Sequence, residues 1–170
     1  MSSAIFSAGN WVVAASGVTA APAKVTTGAT IKSLMQLSTP ATAGLEVIEW
    51  GISFDGSAAA TPGVCELVDT VAVAATVTTY AAADIMKVSQ AGGRASYLTL
   101  GINNSGITAS AEGTITAARQ FDTQLLPPTA PYIKQFPLER GPTMLISEFL
   151  RVRVTFGTAI NALCYVVWSE

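Results

Sequence analysis

The chain contains no histidine. That absence removes the usual general base near neutral pH, the commonest metal ligand, and every nucleophile pair in which a serine or cysteine leans on an imidazole. Charge is scarce as well: Asp, Glu, Lys and Arg make up 12% of the 170 residues, about half the usual share. The net charge is −2 and the cations do not gather. Lys24, Lys32, Lys87 and Lys134 stand alone, and Arg151 with Arg153 make only a pair on one strand face. Neither nucleic acid nor an anionic membrane surface is therefore the expected partner. No apolar run reaches the roughly 18 residues of a membrane-spanning helix. The small, apolar N-terminus has no Lys or Arg before Lys24, so it lacks the positive start of a secretory signal, and synthesis and assembly in the cytoplasm are the simplest expectation. The two cysteines, Cys65 and Cys164, lie in apolar strand-like runs. They read as buried reduced thiols, or as one bridge if their strands are neighbours.

Chemical motifs are equally sparse. Without imidazole a metal would rest on carboxylates, and Glu46 and Glu49 fall on opposite faces of a strand. Asp55, Glu66 and Asp69 lie near turns without the spacing of a calcium loop. Gly92-Gly93-Arg94 lacks the rest of a phosphate-binding loop and opens no helix. No catalytic residue, metal ligand or cofactor is assigned. Asp122 and Glu139 are the pair left for a hydrolase with carboxylate chemistry, and nothing in the sequence singles them out.

What the chain does have is β patterning. Half of its residues are hydrophobic (50%), many of them Ala, with Ser and Thr abundant. One domain of this length buries roughly 70% of its unfolded surface. Near the C-terminus Leu150, Val152, Val154 and Phe156 alternate with Arg151, Arg153 and Thr155, a strand with one buried and one wet face. Gly157-Thr158 suits a two-residue hairpin turn, and Ile160 to Trp168 is apolar on both faces apart from Asn161. Earlier strands are expected at Ala29–Leu37, where Leu34 breaks the alternation, and at Leu45–Asp55, with Ile48, Trp50, Ile52 and Phe54 inward. Gly51 in that strand marks a bulge or a close backbone approach, and Asp55-Gly56 a tight turn. Further strands are expected at Gly63–Asp69, Val71–Thr79, Ala95–Leu100, Gly113–Phe121 and Tyr132–Leu138, with a turn or two of helix within Tyr80–Lys87. Leu125–Pro131, with three prolines, is extended and excluded from a sheet interior. About eight short strands separated by Gly, Pro, Asn and Asp turns make an all-β sandwich or barrel. Residues 1–22 read as an extended N-terminal arm and 23–170 as the β domain. Removing the arm is expected to leave the fold intact and weaken assembly.

A surface so poor in charge favours association. The expected partner contacts are Phe6, Trp11 and Val12 in the arm, and Leu125, Pro127, Pro128 and Tyr132 around the proline-rich stretch. Trp50 is expected in the core and Trp168 in the core or an interface. Tyr80, Tyr97 and Tyr132 are the loop-proximal aromatics on which a carbohydrate-binding reading would rest.

The stretches IKSLMQLSTPATAGLEVIEWGISFDG, QFDTQLLPPTAPYIKQFPLERGP and FLRVRVTFGTAINALCYVVWSE resemble small β-sandwich structural proteins of tailed bacteriophages, such as head decoration (cement) or other minor virion proteins. The resemblance spans Ile31 to Glu170 loosely and contains no diagnostic motif. It implies a jelly-roll-like antiparallel sandwich, a homo-oligomer with a trimer favoured, the major capsid protein shell as partner, and a place on the virion head surface. The alternative it leaves open is a carbohydrate- or receptor-binding module of a phage tail or fibre.

Overall fold

Two antiparallel sheets face each other in the computed structural model, which describes residues 4–12, 22–57, 59–88, 93–99, 104–137 and 139–170. The strands are β1 (Ile5–Gly9), β2 (Val25–Thr26), β3 (Lys32–Ser38), β4 (Leu45–Phe54), β5 (Gly63–Asp69), β6 (Thr76–Thr79), β7 (Met86–Lys87), β8 (Gly106–Ala111), β9 (Arg119–Leu126), β10 (Tyr132–Gln135), β11 (Thr143–Met144), β12 (Phe149–Thr155) and β13 (Asn161–Ser169). A 7-stranded sheet runs β10-β4-β13-β1-β7, with β11 also on β4 and β2 also on β13. A 6-stranded sheet runs β6-β8-β3-β12-β5-β9. The fold is thus the all-β sandwich that the alternation predicts. Among the described residues helix is confined to short 3-10 turns, such as Ala82–Asp84 inside the expected helical stretch, and no helix is long and apolar enough to cross a membrane.

The core lies between the sheets and contains Trp50, Trp168, Phe6, Phe156, Leu37, Leu67 and Val152, each at most 1% exposed. Two bulges set which residues reach it. The β12–β3 register pairs Val152 with Met35 and Arg153 with Ser33, skipping Leu34, so Leu34 and Met35 are both buried. That is the residue that breaks the alternation. On β4 the register passes from Glu49 to Val47 and skips Ile48. The inward row is therefore Leu45, Val47, Trp50 and Ile52, with half-buried Phe54 packed on the core against Phe156 (4.9 Å between ring centroids). Ile48 is half-buried, and the row expected from strict alternation is corrected there.

The C-terminal hairpin is a second correction. β12 pairs with β3 and β5, whereas β13 pairs with β4, β1 and β2, so the Gly157-Thr158 turn carries the chain from one sheet to the other. Each strand has a full apolar row, and facing the two rows across the sandwich buries both. Asp55-Gly56 likewise leads out of β4 toward β5 in the opposite sheet. Asp55 accepts hydrogen bonds from Lys24 (2.6 Å) and from the side chain of Asn161 (3.1 Å), and the Gly56 N–H donates to the Pro128 carbonyl (3.0 Å).

The face of β12 expected to be wet is roofed. Arg151 is 0% exposed; Nη1 donates to the Glu112 carbonyl (2.8 Å) and carboxylate (3.3 Å), and Nη2 to the Val73 carbonyl. Gln36 beside it donates to the carbonyls of Ala75 and Asn104 and accepts from the Ala75 N–H. Residues 70–75 form this roof, where the sequence predicts a strand from Val71 onward; Val71 lies in the left-handed region (φ 51°), and of the expected Val71–Thr79 only Thr76–Thr79 is strand. Ala95–Leu100 is also not a strand where described; Tyr97–Thr99 makes a 3-10 turn. The strand expected at Gly113 begins at Arg119 and runs on to Leu126, and the weakly patterned β8 has no counterpart in the sequence reading.

The arm is the largest correction. Ile5–Gly9 is a strand with β13 on one side and β7 on the other, and Phe6 and Ala8 lie in the core. Residues 1–3 and 13–21 of the expected arm lie outside the described residues.

Candidate functional site

β13 occupies the middle of the 7-stranded sheet, and its burial alternates without a break. Ala162, Cys164, Val166 and Trp168 point into the core, while Leu163, Tyr165 and Val167 are half-buried on the outer face. Tyr165 lies against Gly51 of β4: a Cβ at that position would come within 2.5 Å of the ring. Of the two readings of Gly51, close approach is the one that holds; the approaching group is a side chain, and the bulge sits at Ile48 instead. The Tyr165 hydroxyl donates to Glu49 at 2.5 Å, and burial together with that carboxylate pushes the phenol up to about 12.

Trp11 reaches the same face because Asn10 is locked. Asn10 is 0% exposed; its amide donates to the Ala162 carbonyl (3.0 Å) and its side-chain oxygen accepts the Cys164 N–H (2.9 Å). Its own N–H donates to the Cys164 carbonyl (2.9 Å), and the Tyr80 hydroxyl donates to the preceding Gly9 carbonyl. The Trp11 ring folds back over Gly9, where any Cβ would collide with it.

The result is an apolar groove of about 270 Å³ between Trp11 and β10, lined by Trp11, Ile52, Ser53, Pro131, Tyr132, Ile133, Leu163 and Tyr165. A second hollow of about 280 Å³ lies on the other side of Trp11, toward Met86, Val88 and Val167. Trp11 and Tyr165 border both, so they form a ridge across the sheet. Ile133, Met86 and Val88 are 62%, 48% and 60% exposed, which leaves large apolar side chains at both ends of this face. Tyr132 is held in place: its hydroxyl donates to Asp122 (2.8 Å), and its ring meets Trp50 edge-on with centroids 5.4 Å apart. Burial and the Asp122 carboxylate push this phenol, too, up to about 12.

Of the expected contact residues, Trp11 and Tyr132 come together in the groove. Val12 is half-buried and packs on the core. Phe6 is 1% exposed, 6.1 Å from Trp168 between ring centroids, and offers no surface to a partner. Pro128 is buried. Pro127 is exposed, and Leu125 is 68% exposed on β9, an edge of the other sheet. The loop aromatics do not gather. Tyr80 is buried, and the Arg94 guanidinium sits 3.8 Å over the Tyr97 ring. Ile133, Leu163 and Tyr165 were missed as site residues. For the latter two the signal was present: Ile160–Trp168 is apolar on both faces, and Leu163 and Tyr165 are its outward members.

The carboxylates are tied into the fold. Asp122 accepts from Trp50 (3.1 Å) and Gln124 (2.7 Å) besides Tyr132, Glu66 pairs with Arg153 (3.1 Å), and Asp69 and Glu148 share Arg119. Glu139, the other acid considered for a hydrolase pair, stands exposed in the left-handed region (φ 62°). Among the described residues no group of three or more Cys, Asp and Glu stands placed to hold a metal ion. Cys65 and Cys164 are free buried thiols; burial pushes Cys65 up to about 12 and Cys164 well above its ordinary value. Both therefore stay protonated and act as small hydrophobes at neutral pH. No family model, curated protein or solved structure matches the chain.

Proposed function

We propose that this chain is a non-enzymatic structural subunit that works by burying its apolar outer face on other subunits, as a phage virion protein that binds and stabilises the capsid shell in the manner of a decoration or cement protein. The observation that carries the reading is the Trp11–Tyr165 ridge with an apolar hollow on either side, set on a rigid sheet. Aromatic side chains on a firm backbone are what association surfaces use as anchors. The scarcity of charge over the whole chain fits the same use. Capsid, virion and oligomer rest on the sequence resemblance, and the apolar face is compatible with them. Binding of this kind opposes shell rupture through buried area, about 25 cal/mol per Å², without chemistry.

A sugar-binding reading is favoured by one observation, the convergence of Trp11, Tyr132 and Tyr165 on a single groove. It is weakened by another: both phenol hydroxyls already donate to Asp122 and Glu49, and the Ser53 hydroxyl and the Trp11 indole N–H are the remaining polar side-chain groups of the lining. Saccharide sites need several convergent polar groups. The test is to add purified protein to undecorated heads of the phage that encodes it and to count bound copies. The proposal expects saturation at a fixed number per shell; binding without saturation, or none alongside clear glycan-array hits, would overturn it.

A further inference from the structure

Another of the exposed apolar features is firmly built. Leu145 and Ile146, which follow β11, are 64% and 54% exposed. Their turn is fastened from both sides. The Leu145 N–H donates to the Glu148 carboxylate (2.6 Å), and the Thr39 hydroxyl donates to the Leu145 carbonyl (2.6 Å). The Ser147 N–H donates to the Pro40 carbonyl (3.3 Å), and the Glu148 N–H to the Thr39 hydroxyl oxygen (2.9 Å). Arg119 holds the Glu148 carboxylate at 2.8 Å. Ser147 takes a left-handed backbone (φ 59°), a conformation held against an intrinsic cost. A tip ordered in advance loses little further entropy when it docks.

We infer that the Leu145–Ile146 tip docks into the groove beside Trp11 on a second copy of this chain, in a head-to-tail contact. This rests on the reading above that the chain is a self-assembling structural subunit, and it names the partner and the two surfaces. Charge is matched on the two sides. The groove lining contains no charged residue, and neither do residues 143–147; the Glu148 carboxylate beside the tip is already paired with Arg119. Size is matched as well. The groove's volume of about 270 Å³ equals roughly nine water molecules at about 30 Å³ each, room for branched aliphatic side chains. Position then requires two molecules. The tip follows Met144, which pairs with Leu45 at one end of β4, whereas Tyr132 in the groove pairs with Ile52 near the other. Those two β4 positions are about 23 Å apart at the rise of an extended strand. No copy reaches its own groove. Each tip fills a neighbour's groove and leaves its own groove for a third copy, so the contact propagates, into a ring where the rotation closes and into a filament where it does not.

The test uses the full chain and two variants, one at the tip (Leu145→Ser with Ile146→Ser) and one in the groove (Ile133→Lys). All three positions are exposed, and lysine suits an edge strand, so both variants keep the wild-type thermal transition. Should Ile133→Lys disturb β10, Trp11→Ser replaces it. Sedimentation at micromolar concentration is expected to give an oligomer for the wild type and a monomer for each variant alone. An equimolar mixture is expected to give a dimer, because one partner retains the groove and the other the tip. A monomeric wild type, variants that assemble normally, or a mixture that stays monomeric would each overturn the contact. A monomer that still saturates shells would defeat this contact alone, while a ring that ignores shells would defeat the proposed function alone.

Discussion

Arg151 brings a full charge into a place that water does not reach, and its neighbours show the consequence. Its compensation is the Glu112 carboxylate, which also accepts from the Ser33 N–H and hydroxyl at 2.6 Å each. Removing one partner of such a pair costs far more than replacing both with apolar groups. Glu112→Ala is expected to destabilise the fold by about 3 kcal/mol, and adding Arg151→Met to recover part of that loss, measured by denaturant unfolding. Gly51 offers a second test. Alanine there meets the Tyr165 ring, so Gly51→Ala is expected to lose about 1–3 kcal/mol and to displace the ridge. The phenols give a pH dependence. Tyr132 and Tyr165 are raised from the ordinary 10.0 to about 12 in the folded chain, so between those values the folded state holds protons that the unfolded chain releases. Stability is then fully present below pH 10 and falls as pH rises toward 12. Replacing both tyrosines with Phe is expected to shallow that decline in melting temperature without removing it, since Tyr80 is raised as well.

At the scale of elements, the sequence is a good guide to where strands are and a poor one to how they face and pair. Leu45–Phe54 and Gly63–Asp69 are legible because runs of β-branched and apolar residues stand there between turn signals. The bulges at Leu34 and Ile48 are not, because a shift of parity depends on the neighbouring strand's register. Alternation also says that one face of β12 is polar without saying that residues 70–75 will roof it. The N-terminal strand is illegible for a related reason. Ile5–Gly9 is too short and too rich in small residues to signal a strand alone, yet it fills a slot between β13 and β7. Deleting residues 4–12 is accordingly expected to abolish cooperative unfolding, and Phe6→Ala alone to cost about 3–5 kcal/mol. Truncation at Ala162 is expected to prevent folding altogether, because β13 is the strand on which β4, β1 and β2 all pair. A cooperative melt from either truncated chain would contradict this ranking.

For the whole molecule, the alternation leaves a sandwich or a barrel open, since both bury apolar rows; the strand pairing resolves it into two facing sheets. What lies on the outside was half legible. Trp11 and Tyr132 were picked out by residue type, and they meet only because Asn10 aims one and Asp122 holds the other. Ile133 and the Leu145–Ile146 tip are not legible, because an exposed apolar residue and a buried one look alike in a sequence. The molecule's central claim is that it associates by covering neutral, apolar surface. Calorimetric titration into undecorated phage heads at several temperatures and salt concentrations tests it most directly. The expected result is saturable binding with a negative heat-capacity change and little salt dependence. Heat-capacity change near zero, with binding that salt abolishes, would contradict it.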